Sequence, residues 1–166
     1  MVQILFYPTF LLMAFILSLI YIPRKYYKEY FIYGIILGGL GDVIIVGLFQ
    51  NVFHIIWFKN SGIFNALGQN LLSPPCWVFV VMLFLNFLPN RRLFLYLYVM
   101  TVACSSVGYG ILVHNVGLFD YKPWFYPVFS YFTFLSWWCF ITWVFLKTNT
   151  IRNPNKVNNI KLKRNS

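Results

Sequence analysis

The chain has 166 residues, 60% hydrophobic and 22% aromatic, and its only acids are Glu29, Asp42 and Asp120 against 13 lysines and arginines. A soluble domain is usually about 45–50% apolar and about 25% charged, so these proportions exclude a water-soluble globule and make a bilayer the solvent for most of the chain. The net charge of +10 would suit nucleic acid in a soluble protein. Here the basic residues fall between apolar runs and at the C-terminus, which is a topology signal and leaves no folded basic face for nucleic acid.

Apolar runs of about 20 residues match a hydrocarbon core of about 30 Å at about 1.5 Å rise per residue. Five such runs predict an all-α integral membrane protein over residues 1–146, five transmembrane helices in one bundle. The first span is expected at about 3–22 and stops at Pro23, with Pro8 near its start, where a missing N–H is tolerated. No Lys or Arg precedes it and no small-x-small motif follows it, so it reads as a retained span rather than a signal peptide. Arg24, Lys25 and Lys28 then form a basic loop.

The second span is expected at about 30–53, with room to extend to Phe58. In the connector 59–73, Ile63, Phe64, Leu67 and Leu71 recur on one helical face and predict a short interfacial helix. Ser73-Pro74-Pro75 reads as an N-cap followed by prolines and opens the third span, 72–88. A tight turn at Pro89-Asn90-Arg91-Arg92 leads to the fourth, 93–113, and the fifth follows at 127–146. Residues 147–166, rich in Asn, Lys and Arg, lack the apolar content to fold alone and are expected to be a disordered cytoplasmic tail.

Under five spans, 11 of the 13 basic residues fall on one side of the membrane and only Lys59 and Lys122 on the other. The positive-inside rule then puts the N-terminus outside and the tail in the cytoplasm, in the plasma membrane. Trp57, Trp77, Trp124, Tyr121 and Tyr126 fit an outer aromatic belt, and Tyr26, Tyr27, Tyr30, Tyr96 and Trp143 an inner one.

Asp42 is the only carboxylate inside a long apolar run. A charge at the helix centre costs about 2.5–3.5 kcal/mol, so it is expected to face protein or a water-filled cavity. Gly34, Gly38 and Gly41 lie just before it on one helical face. A shift of 67 residues puts Pro8 on Pro75 and Arg24 on Arg91, and lays these glycines over Thr101, Ser105 and Gly108 and Asp42 over Tyr109. A parallel repeat of helices 1-2 and 3-4 is therefore a candidate arrangement. In it the small faces of spans two and four pack together, and Tyr109, Ser105 or Ser106 hydrogen-bonds to Asp42. Asp42 then serves as a proton or cation site, as the anchor of a ligand head group, or as a packing residue.

At the outer end His54, His114, Cys76 and Asp120 are weak metal or haem candidates. They lack a spacing such as His-x-x-x-His, so no metal or cofactor is expected. The odd number of cysteines, Cys76, Cys104 and Cys139, without a Cys-x-x-Cys pair, reads as small core residues. Phe132, Trp137, Trp138, Phe140 and Trp143 are candidates to line an apolar cavity for a lipid or quinone-like molecule, although aromatic residues also serve simply as packing and belt residues. Lys156, Lys161, Lys163 and Arg164 are candidate contacts for anionic lipid head groups, each worth roughly 1 kcal/mol. No phosphate loop, paired carboxylates or Ser-His-Asp set is visible. The expected function is thus a non-enzymatic membrane component that binds a lipid-like ligand, a partner membrane protein or a second copy. The alternative is a small transporter or proton-coupled permeation unit using Asp42.

Overall fold

The computed structural model describes residues 2–59, 65–66 and 69–149. Five helices make up most of them: α1 (Val2–Tyr21), α2 (Arg24–Val52), α3 (Ser73–Asn86), α4 (Arg92–Asn115) and α5 (Val128–Thr148). By length and apolar content α2, α4 and α5 are able to cross a membrane, whereas α1 and α3 contribute shorter apolar stretches. Among the described residues, three of the five expected spans are therefore carried by helices of sufficient length and apolar content. The 14 residues of α3 reach about 21 Å at about 1.5 Å each, short of the roughly 30 Å of a hydrocarbon core. Pro89 explains the early stop, because a proline disfavours helical geometry in the residue before it.

Two further boundaries differ from expectation. Pro23 holds extended backbone, and α2 starts directly after it, so Arg24, Lys25 and Lys28 are exposed residues of a helix rather than a basic loop. At its other end α2 does not run on to Phe58. His54 adopts a left-handed conformation with φ 51° and its Nδ1–H donates to the Gln50 carbonyl at 2.9 Å, which turns the chain out of the helix. Ile56–Phe58, β-branched and aromatic, becomes strand β1.

β2 (Asn65–Ala66) and β3 (Gln69–Asn70) pair antiparallel, Asn65 with Asn70 and Ala66 with Gln69, where an interfacial helix was expected. Asn70 Oδ1 accepts the Leu72 N–H at 2.9 Å, a side-chain turn that competes with helix before α3. Of the apolar residues expected on that helix, Ile63, Phe64 and Leu67 lie outside the described residues, and Leu71 sits in the turn before α3. β4 (Phe119–Tyr121) pairs antiparallel with β1 in the register Ile56 to Tyr121, Trp57 to Asp120 and Phe58 to Phe119. Flanking bonds from Lys59 N–H to Leu118 O and from Lys122 N–H to Ile55 O, each 2.9 Å, lengthen this ladder.

The short α3 is the centre of the bundle, packed by α1 on one side and by α2 on another, while α4 packs on α5. Its Val81 and Met82 are completely buried. Gly34 and Gly38 make the α2 contact possible. A Cβ on Gly34 would stand 2.7 Å from the Val78 carbonyl oxygen, and one on Gly38 would meet the Trp77 carbonyl.

The expected pairing of small faces on α2 and α4 is thus replaced by packing of α2 on α3, with Gly41 against the Trp137 indole of α5. The physical cause is a π-helical segment, Gly34–Gly39, whose wider turn breaks the 3.6-residue period on which the shared face was reckoned. A second π segment covers Leu48–Val52. By contrast α4 is uninterrupted α-helix, so the two members of the supposed repeat are built differently. Its Thr101 and Ser105 are exposed and bond back to Leu97 O and Thr101 O, and Gly108 has open space beside it.

Buried side chains separate into two ends. Around Arg24 and Lys147, the basic end, Val81, Phe84, Leu85, Ala103, Trp138, Ile141 and Phe145 form a continuous core. At the opposite, strand end, Tyr7, Ile56, Cys76, Val113, Leu118, Phe119 and Phe125 pack beneath β1 and β4.

Candidate functional site: a cavity at the strand end

A cavity of about 110 Å³ opens between these two cores. Its walls come from every helix: Tyr7 of α1, Gly38, Asp42, Val46 and Phe49 of α2, Ser73 and Trp77 of α3, Tyr109, Gly110 and Val113 of α4, and Ser130, Thr133, Phe134 and Trp137 of α5. Ile56, Phe58 and Phe119 of the strand pair, with Ile45, Phe125 and Tyr126, complete the lining. Gly110 leaves room for the Tyr126 hydroxyl, which would collide with a Cβ there.

Asp42 and Tyr109 line this one space, Asp42 from the segment that follows the π turn. Ser73, a buried residue that the sequence presents as a helix cap, borders the same space as the Asp42 carboxyl. Leu72 occupies the N-cap position instead, and Ser73 is the first residue of α3. One Asp42 carboxyl oxygen, Oδ2, is buried and has no hydrogen-bond partner among the described residues. An unpaired buried acceptor costs about 1–3 kcal/mol. Among the described residues nothing offsets that cost at Oδ2.

Ser105 and Ser106 do not join Asp42. Ser105 faces outward, whereas Ser106 is buried, donates to Val102 O at 2.9 Å and accepts the Trp138 indole N–H at 3.0 Å. That bond belongs to the floor of the cavity, where Trp138, Ile141 and Val81 are each wholly buried. Of the five aromatics expected to line a cavity on α5, Trp137 does so and Trp138 is in the floor. Phe132, Phe140 and Trp143 are exposed, because spacings of eight and three residues gather them on the outward side of the helix, where Phe140 stacks on Trp137 at 5.7 Å. Cys104 and Cys139 are exposed as well, not core residues, and only Cys76 is buried.

Charges gather above the cavity. Lys59, at the end of β1, forms an ion pair with Asp120 of β4. His114 Nδ1 lies 3.0 Å from Phe119 O and 3.5 Å from Asp120 Oδ1, and the Tyr121 N–H donates to Asp120 Oδ1 at 2.9 Å. The Lys59 hydrogen bond holds the Asp120 carboxyl below the ordinary carboxylate range. Tyr121 and Tyr126 stack with ring centroids 4.0 Å apart, and burial pushes the Tyr126 phenol up, so it stays a hydrogen-bond donor.

Of the weak metal candidates, His114 and Asp120 come together, while His54 bonds to Gln50 and the Cys76 thiol lies 3.9 Å from Tyr7 O. Among the described residues no group of three or more His, Cys, Asp or Glu is placed to hold a metal ion. Lys156, Lys161, Lys163 and Arg164 lie outside the described residues.

No protein-family model, no curated protein and no solved structure matches this chain.

Proposed function

We propose that the chain is a membrane-embedded binding protein whose strand-end cavity takes the polar end of a lipid-like ligand. The observation that carries this reading is the buried, unpartnered Asp42 Oδ2 in a cavity whose walls are otherwise mostly aliphatic and aromatic. Binding sites for small molecules have this character: apolar walls and a few polar groups that fix orientation. Exposed Leu12, Ile20, Ile44, Leu93 and Phe129 suit a bundle surrounded by lipid. The distribution of Lys and Arg supports a cytoplasmic basic end and a strand end on the outer side.

A permeation pathway through Asp42 would have to continue past Trp138, Ile141 and Phe145, none more than 1% exposed. This sealed floor favours a binding site open toward one side over a transport route.

The test is purification in mild detergent followed by mass spectrometry of co-purifying lipids. Val46 lines the cavity, and Ile44, two residues away, points outward with 61% exposure. Wild type and Ile44→Trp are expected to retain the same bound species, and Val46→Trp, which fills the cavity, to lose it. Equal retention by Val46→Trp, or no retained species in wild type, contradicts the proposal.

A further inference from the structure

We infer that the ligand's polar end is a protonated primary or secondary amine, held by Asp42 and the aromatic wall of the strand-end cavity. This assignment rests on the binding reading above and adds the chemical class. The cavity's described lining contains one carboxylate and no Lys, Arg or His. It therefore offers an anionic ligand repulsion with no compensating cation, and it offers a cation an ion pair in a region of low dielectric.

The wall adds a second, independent attraction. Trp77, Tyr109, Phe134 and Trp137 all border the space, with Trp77 edge-on to Tyr109 at 6.3 Å and stacked on Phe134 at 6.1 Å. The negative faces of such rings attract ammonium groups. A quaternary ammonium would satisfy the rings but not Asp42 Oδ2, which lacks a donor. An ammonium that keeps its N–H bonds satisfies both. The Ser73 and Tyr109 hydroxyl oxygens offer further acceptors, and Val46, Phe49 and Val113 offer an apolar path for an alkyl chain.

The test uses four chain-matched probes, hexylamine, N-hexylacetamide, hexanol and hexanoate, with hexyltrimethylammonium as a fifth. The protein carries 5-fluorotryptophan in phosphatidylcholine nanodiscs and is followed by fluorine NMR. Trp77 and Trp137 report the cavity, and exposed Trp143 reports nonspecific partitioning. At about pH 7 hexylamine is protonated, as a lysine side chain is.

Hexylamine is expected to shift the Trp77 and Trp137 resonances saturably and to bind about tenfold more tightly than hexanol or N-hexylacetamide, as a charge-assisted bond exceeds a neutral one. Hexyltrimethylammonium should fall between them and hexanoate should be weakest. Asp42→Asn should bring hexylamine and hexanol to similar affinity; the wild-type series alone decides the class if that variant does not fold. Saturable shifts with hexylamine no tighter than hexanol overturn the amine assignment and leave the cavity a binding site. Absence of saturable shifts at Trp77 and Trp137 with every probe overturns the binding reading as well. Phosphatidylethanolamine in the nanodiscs should compete with hexylamine if the amine is lipid-borne and not if it is a free amine, and either result keeps the class.

Discussion

The two ends of the bundle use the same residue types to opposite effect. At the basic end, aromatic and aliphatic side chains interlock around Trp138, whose one polar atom is satisfied by Ser106, and the helix ends are pinned by Tyr33 to Thr148 at 2.7 Å and Asn149 to Glu29 at 3.0 Å. At the strand end, comparable rings stand around a space of about 110 Å³ and leave a carboxyl oxygen without a partner among the described residues. Close packing is the rule in protein interiors, and a buried polar group without a hydrogen bond is costly. Both demands are met around Trp138, and around the strand-end cavity, among the described residues, they are not.

The sharpest way to break this contrast is to remove a ring from each end. Trp138→Ala is expected to cost about 3–5 kcal/mol, as large-to-small changes in a dense core do. Phe49→Ala, at the strand end, enlarges a space that already exists and should cost clearly less. Thermal unfolding in detergent compares them, and equal losses would mean that the ends are packed alike.

Glycines refine the comparison at a smaller scale. Gly38→Ala drives a methyl into the Trp77 carbonyl and should destabilise by about 1–3 kcal/mol. Gly108→Ala meets nothing within 4 Å and should stabilise α4 by about 0.5–1 kcal/mol. A silent Gly38→Ala would show that α2 and α3 are not in close contact.

The smallest effect is expected above the cavity, at Lys59 and Asp120. A carboxyl whose pKa is lower folded than unfolded adds stability at pH above its unfolded value, about 3.9, and loses it as pH falls through the folded value. A partly exposed pair contributes roughly 0.2–1 kcal/mol. Unfolding temperatures of wild type and Lys59→Met should therefore differ slightly at neutral pH and converge in acid below about pH 4. A gap that widens in acid would rule out this pair as its source.

Apolar run length made the helices legible in the sequence, and the cost of a charge in lipid made it legible that Asp42 faces inward. Tyr109 was reached through a repeat alignment, yet it lines the cavity because the C-terminal turns of α4 face the centre of the strand end. The π segment at Gly34–Gly39 leaves no mark in composition, and without it the glycine face was turned toward the wrong helix. Ser73 looked like a cap because capping is local chemistry, while its place on the cavity wall with Asp42 brings together residues far apart in the chain. The β1 and β4 pair was hidden for the same reason, since Ile56–Phe58 merely continues an apolar run until Phe119–Tyr121 is set beside it.

The most direct test of a hollow end above a sealed one is cysteine accessibility in a chain lacking Cys76, Cys104 and Cys139. Val46→Cys, in the cavity wall, is expected to react with a small water-soluble thiol reagent and to be protected by hexylamine, while Ile141→Cys, in the floor, stays unreactive. Equal reactivity at the two positions, or no protection of Val46→Cys, would contradict the assignment of the strand end as a ligand cavity.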